Sequence, residues 1–168
     1  MHLDLKVTNH FAFSPTTTQK NIESILKCND ITEPKGLSLN YDQAVYLVET
    51  RTNALKSNGR IEFAESIVSK IIYTFSDSAY IDNINYEITL HDLIELFYYF
   101  KNETQDKYSD DQLIAYLFSS FDGYCQGSTE LLSSKGLEKL LHPELEIEDE
   151  LEVKISDIQL EDIDGIEA

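Results

Sequence analysis

The segment Tyr86–Glu103, with the sequence YEITLHDLIELFYYFKNE, decides which fold this chain can adopt. Its apolar residues recur at helical spacing and share one wide face: Tyr86, Leu90, Leu93, Ile94, Phe97 and Phe100. The rings of residues 97–100 follow one another near the end of the segment. A helix that is apolar over most of its circumference is buried. We therefore predict that several other helices pack around this one.

The flanking sequence predicts those neighbouring helices. Asn40 with Gln43, and Ser109 with Gln112, have the capping-box spacing that marks a helix start. Gly136 is expected to interrupt the last helix. Helical periodicity predicts helices near residues 15–28, 41–57, 61–75, 83–103, 110–121 and 128–141. The predicted fold class is mainly α, a single bundle-like domain of five to six helices within residues 1–142.

The two ends of the chain have a different pattern. Residues 2–7 alternate between apolar and polar side chains, as a short half-buried strand does. Residues 143–168 contain eleven acidic residues and one lysine, with apolar residues alternating among the acids. Two interpretations stay open. The segment is either a hairpin that pairs with residues 2–7 in a small β element, or an acidic tail that orders on a partner.

Composition and charge exclude several classes of function. The chain has 168 residues and a net charge of −18, so direct binding to nucleic acid or to an anionic membrane surface is disfavoured. No apolar run reaches the roughly 20 residues of a transmembrane helix, and no signal peptide is visible. Cys28 and Cys125 are the only cysteines, which does not suggest a disulfide framework. We predict a cytoplasmic protein with reduced thiols.

Three segments carry a resemblance to a known family. They are LVETR at residues 47–51, NGRIEF at residues 58–63 and FYYFKNE at residues 97–103. With their surroundings, over roughly two-thirds of the chain, they resemble a family of uncharacterised bacterial cytoplasmic proteins, a domain of unknown function. The resemblance implies a bacterial source and implies no activity.

Five charged residues lie in or beside these segments: Glu49, Arg51, Arg60, Glu62 and Glu103. Residues two positions apart on a helix do not face each other, so these charges are expected to pair between helices. One interpretation is an ion-pair network that fixes the packing. The other is a pocket in which the arginines hold a small anion bidentately.

A metal site is a further candidate. Glu87, His91 and Glu95 are spaced four apart, which places one nitrogen and two oxygen donors on the same side of the central helix. Because no other helix supplies a matching set of ligands, the preferred interpretation is a solvated polar face. We predict no cofactor.

Cys125 is a candidate nucleophile, because it precedes a helix start where backbone amides can lower a thiol pKa. The alternative is a small buried hydrophobic residue. The sequence contains neither the phosphate-binding GxxxxGK[ST] motif nor GxSxG. No enzyme class is therefore indicated.

Ile88 and Tyr99 interrupt the polar side of the central helix. Together with the apolar residues of the acidic tail, they predict a non-catalytic protein that binds another protein. One alternative is a small-anion binder or enzyme that uses Arg51, Arg60 and Glu62. A second is an acidic mimic of nucleic acid, in which carboxylates take the place of phosphates. The sequence specifies neither the partner nor the oligomeric state.

Overall fold

The computed structural model describes residues 15–62 and 66–144, and every regular element in these residues is helical. The elements are α1 (Pro15–Lys27), α2 (Asn29–Thr32) with a 3-10 turn (Glu33–Lys35), α3 (Tyr41–Ser57), α4 (Ser66–Phe75), α5 (Tyr86–Glu103), α6 (Asp110–Asp122), and a final helix made of α7 (Thr129–Leu131), a π-helical segment (Leu132–Gly136) and α8 (Leu137–Leu141). The mainly α, bundle-like fold is confirmed. The predicted β pairing lies outside the described residues.

Helix α5 is the centre of the bundle. All six residues of its predicted apolar arc are buried, and the ring of Tyr98 is buried with them. Helices α3, α4, α6 and α7 pack against it. Gln43 meets Glu87 and Thr50 meets His91, so α3 runs beside α5 in the same direction. Among the described residues, no helix combines the length and apolar character needed to cross a membrane.

The helix starts follow the sequence closely where a capping box is present. The Asn40 side chain accepts from the Gln43 amide at 2.8 Å, and the Gln43 side chain accepts from the Asn40 amide at 2.9 Å. Ser109 and Gln112 form the same reciprocal pair at the start of α6. These local signals are confirmed because both partners of a capping box lie within four residues of each other.

The segment before α4 differs from the prediction. A helix from residue 61 was expected, with Ile61 on its buried side, but residues 60–62 are not helical and Ile61 is 84% exposed. Arg60 contacts Asp106 and Glu62 contacts Arg51. On a helix, by contrast, residues two positions apart do not face the same side. The two ionic contacts therefore turn Ile61 outward and oppose a helix here.

The final helix packs closely against α5 at Gly136. A Cβ atom added to Gly136 would lie 2.9 Å from Leu132 Cδ1 and 3.5 Å from the ring of Phe100. The Tyr116 hydroxyl donates to the Gly136 carbonyl at 2.7 Å. The predicted interruption at this glycine takes the form of a π-helical segment, Leu132–Gly136. An alanine at this position would crowd the Leu132 side chain of the same helix and would lie in van der Waals contact with Phe100.

Burial raises the pKa of Tyr86 to about 12, because its hydroxyl would have to ionise inside the core. Below pH 10 the folded and unfolded states both keep this proton. Above pH 10 the unfolded state loses it first, so we expect the free energy of unfolding to fall by about 1.4 kcal/mol per pH unit up to pH 12. Urea unfolding between pH 9 and pH 12 measures this, in steps of roughly half a unit.

Replacing Tyr86 with phenylalanine should make this alkaline loss shallower. The loss should not vanish, because burial also raises the pKa of Tyr98. Tyr41→Phe is the matched control, since the Tyr41 side chain is half exposed. An equal slope for Tyr86→Phe and wild type would contradict the prediction.

Candidate functional site

One side of α5 stays exposed in the bundle. Ile84, Ile88 and Tyr99 are 95%, 54% and 42% exposed, and Glu95 between them is exposed as well. Positions 88, 95 and 99 fall within one narrow strip of the α5 surface, and Ile84 lies in the turn just before the helix begins. We call these four residues the exposed face of α5. It contains both predicted partner-binding residues, Ile88 and Tyr99. Ile84 was not predicted as a partner-binding residue; it lies within the predicted helix of residues 83–103, but in the turn before the observed start of α5 at Tyr86.

A hydrogen-bonded turn holds Ile84 in its outward position. The Asp82 carboxylate accepts from the amides of Ile84 at 2.9 Å and of Asn85 at 2.8 Å. The Asn85 side chain accepts from the Asp82 amide at 2.9 Å and donates to the Tyr80 carbonyl at 3.1 Å. Asp82 thus caps this turn, and α5 begins only at Tyr86. The hydrogen bonds that the backbone makes in this turn hold the Ile84 side chain in solvent.

His91 lies beside the exposed face, against α3. Its Nδ1 atom is 2.8 Å from Thr50 Oγ1, and that hydroxyl donates to the Tyr46 carbonyl at 2.9 Å. The Tyr46 ring stacks on the imidazole with centroids 5.2 Å apart. The Nε2 atom is 3.2 Å from Glu95 Oε1. The ring is therefore held in place on three sides.

An acidic groove adjoins the exposed face of α5, between α5 and the final helix. Its volume is about 490 Å³, and it is lined by residues of α5 and of the final helix, including Asp92, Glu95, Leu96, Thr129, Glu130 and Ser133. The Thr129 hydroxyl donates to Asp92 Oδ2 at 3.0 Å. Asp92 is thus oriented by a residue 37 positions away. The groove is open to solvent and offers carboxylate and hydroxyl oxygens.

The structure brings together two of the three predicted metal ligands. The donor atoms of His91, Asp92 and Glu95 all lie within 4.8 Å of one another. Glu87 instead accepts from the Gln43 side chain at 3.3 Å, at the start of α3. Asp92 was not predicted as a ligand. Its signal in the sequence is its position three residues before Glu95, a spacing that also places two side chains on one helix face.

Three of the five predicted charged residues form ion pairs, and the other two are exposed. Arg51 is buried, with its Nη2 atom 3.7 Å from Glu62 Oε1. The Arg60 guanidinium forms two hydrogen bonds to Asp106, which lower the pKa of that carboxyl. Glu49 and Glu103 are exposed. Asp106 was not predicted, because it lies 46 residues from Arg60 in a loop without periodicity.

The cavity beside Arg51 is small. Its volume is about 10 Å³, and α1, α3 and α4 supply its lining: Asn21, Ser24, Ile25, Val48, Arg51 and Val68. A volume of this size holds about one water molecule. The groove beside the exposed face of α5 is far larger than this cavity.

Cys125 is buried, and burial raises the pKa of its thiol. This is opposite to the shift that a nucleophilic cysteine needs. The side chain belongs to the hydrophobic core, and the loss of water around it is the main cause of this raised pKa. Cys28 is also buried, and neither cysteine forms a disulfide.

A comparison with protein families identifies residues 24–146 as a match to the Family of unknown function (DUF6323). This chain belongs to DUF6323. The exposed face of α5, the acidic groove, His91 and Cys125 all lie within the DUF6323 match, whereas the acidic residues beyond 146 lie outside it. No curated protein and no solved structure matches the chain.

Proposed function

We propose that this DUF6323 protein is a non-catalytic protein of the bacterial cytoplasm that binds another protein through the exposed face of α5. The observation that carries the proposal is Ile84, an isoleucine that is 95% exposed on a turn fixed by hydrogen bonds. Exposing apolar surface to water is unfavourable, so burying Ile84 against a partner would lower the free energy of the complex. The two unpaired cysteines support the cytoplasmic location.

The charge around this face specifies the chemistry of the partner. Residues 41–50 and 84–100, on the adjacent helices, contain five acidic residues and neither lysine nor arginine: Asp42, Glu49, Glu87, Asp92 and Glu95. Charged groups across an interface are arranged so that opposite potentials meet. The partner segment should therefore carry an apolar side chain flanked by lysine or arginine. The net charge of −18 would attract such a segment over a longer range.

The test begins with affinity purification from the native cells and mass spectrometry, followed by measurement of the dissociation constant with each purified candidate. A variant with both Ile84→Asp and Ile88→Asp should bind at least about tenfold more weakly, which corresponds to a loss of about 1.4 kcal/mol. The affinity should also fall with rising salt, because basic groups of the partner face acidic groups here.

Two exposed isoleucines outside this face provide the matched control. Ile61 and Ile31 are 84% and 54% exposed, close to the values of Ile84 and Ile88. A variant with Ile61→Asp and Ile31→Asp adds the same charge and should bind as wild type does. Equal affinities for the two double variants would overturn the assignment of this face. If duplex DNA displaced the chain from a DNA-binding partner, the nucleic-acid mimic would be the better interpretation.

A further inference from the structure

The contacts around His91 favour one of the two tautomers of its neutral ring. The Thr50 hydroxyl has one hydrogen, and it donates that hydrogen to the Tyr46 carbonyl at 2.9 Å. Its oxygen must then accept the bond from His91 Nδ1 at 2.8 Å. We infer that Nδ1 is the protonated nitrogen of the neutral ring, because the opposite tautomer would need the Thr50 hydroxyl to turn from the Tyr46 carbonyl to the ring. The Nε2 lone pair faces Glu95 Oε1 at 3.2 Å, so two acceptors face each other.

Two facing acceptors need a positive charge between them. A second proton on the imidazole is one solution, and a metal cation is the other. Asp92 favours the cation, because its carboxylate places a third donor atom within 4.8 Å of the first two. The Thr129 hydroxyl orients this third carboxylate from across the groove.

From this geometry we propose that His91 Nε2, Asp92 and Glu95 bind a first-row divalent metal ion of the Zn²⁺ type. Imidazole and carboxylate together suit such ions, whereas Ca²⁺ and Mg²⁺ prefer oxygen donors alone. The open side of the site faces the acidic groove, where Glu130 and solvent lie. The proposal does not depend on the partner protein, and it replaces Glu87 of the predicted ligand set with Asp92.

The surroundings of His91 are those of a metal ligand. A metal-binding histidine usually donates its second ring N–H to a fixed acceptor, which sets the tautomer and the orientation of the ring. Thr50 is that acceptor, and it is buried. The stacked ring of Tyr46 prevents the imidazole from rotating away. The ligand is thus oriented before any ion binds.

The binding experiment is titration of the full chain with Zn²⁺ in a calorimeter, after treatment with a chelator. Excess Ca²⁺ in the buffer occupies sites that offer carboxylates alone, including those of the acidic tail. His91→Gln, Asp92→Asn and Glu95→Gln should each weaken the highest-affinity Zn²⁺ site by more than about tenfold. Thr50→Val keeps the shape of the side chain but removes the acceptor, and should weaken binding by about 10- to 100-fold.

Glu87→Gln is the matched control, because Glu87 lies on the same helix but bonds to Gln43 rather than to the cluster. Its affinity for Zn²⁺ should equal that of wild type. Equal affinities for wild type and the three ligand variants would overturn the proposal. Loss of affinity in Glu87→Gln and not in Asp92→Asn would also overturn it, in favour of the ligand set predicted from sequence.

A measurement on the wild-type chain avoids any effect of the variants on folding. Long-range ¹H–¹⁵N correlation spectra report the protonation and metal binding of each imidazole nitrogen. Before metal is added, His91 should show a protonated Nδ1 atom, and Zn²⁺ should then shift the resonance of Nε2. If Nε2 instead carries a proton that Zn²⁺ does not displace, the cluster is an ion pair only.

Discussion

Replacing Phe97 with alanine is expected to lower the free energy of unfolding by about 3–5 kcal/mol. The ring is fully buried in α5, with the ring of Tyr98 perpendicular to it at 5.0 Å. The Lys101 ammonium lies 5.7 Å from its centroid. Alanine would remove this apolar area and leave a cavity among helices that cannot fully close it. Urea unfolding followed by circular dichroism measures the effect.

Tyr99→Ala is the matched control, because Tyr99 is an aromatic residue on the same helix with its side chain in solvent. Its effect on stability should stay within about 1 kcal/mol. The two variants separate the roles of the two sides of α5. Phe97→Ala should lower stability, whereas Tyr99→Ala should weaken partner binding at nearly unchanged stability. Equal losses of stability would contradict the assignment of the two sides.

The buried side of α5 could be predicted from sequence because packing there follows the helical repeat. Leu90, Leu93 and Phe97 are apolar at helical spacing, and all three are fully buried. The capping boxes at Asn40 and Ser109 could also be predicted from sequence, because their hydrogen bonds join residues that are close in the chain. In both cases the residues that decide the local structure lie within one segment of the chain.

The start of α4 could not be predicted in this way, because contacts between distant residues decide it. Arg60 contacts Asp106, 46 positions away, and Glu62 contacts Arg51, 11 positions away, so neither contact belongs to the local helical pattern. Helical periodicity through Ile61 is real in the sequence, but two ionic contacts oppose it. Tertiary contacts often override a local preference in this way.

The candidate metal site shows the same limit. His91 and Glu95 share one helix face, and their spacing predicted that they meet. The role of Thr50 could not be predicted, since it depends on α3 running beside α5. The position of Asp92 depends on Thr129 across the groove. Sequence therefore identified part of the cluster, and the packing of three helices completed it.

Replacing Gly127 with alanine is expected to destabilise the fold by about 2–5 kcal/mol, through two separate effects. The residue has a φ of +81°, a backbone conformation that costs alanine about 1–2 kcal/mol. An added Cβ would also lie 2.4 Å from Tyr80 Cβ and 2.8 Å from Tyr80 Cγ. Tyr80 cannot easily move, because its carbonyl accepts from Asn85 in the turn that holds Ile84. The strain would thus extend to the exposed face of α5.

A variant at Gly59 separates the cost of the backbone conformation from the cost of the steric clash. Its φ is +62°, but a Cβ added there meets nothing within 4 Å. Gly59→Ala should therefore show the backbone cost alone, about 1–2 kcal/mol. The difference between the two variants in urea unfolding measures the clash with Tyr80, expected at about 1–3 kcal/mol. Equal losses for Gly59→Ala and Gly127→Ala would mean that Tyr80 moves aside at no cost. The turn at Asp82 would then be more flexible than its hydrogen bonds indicate, and it would not hold Ile84 rigidly for a partner.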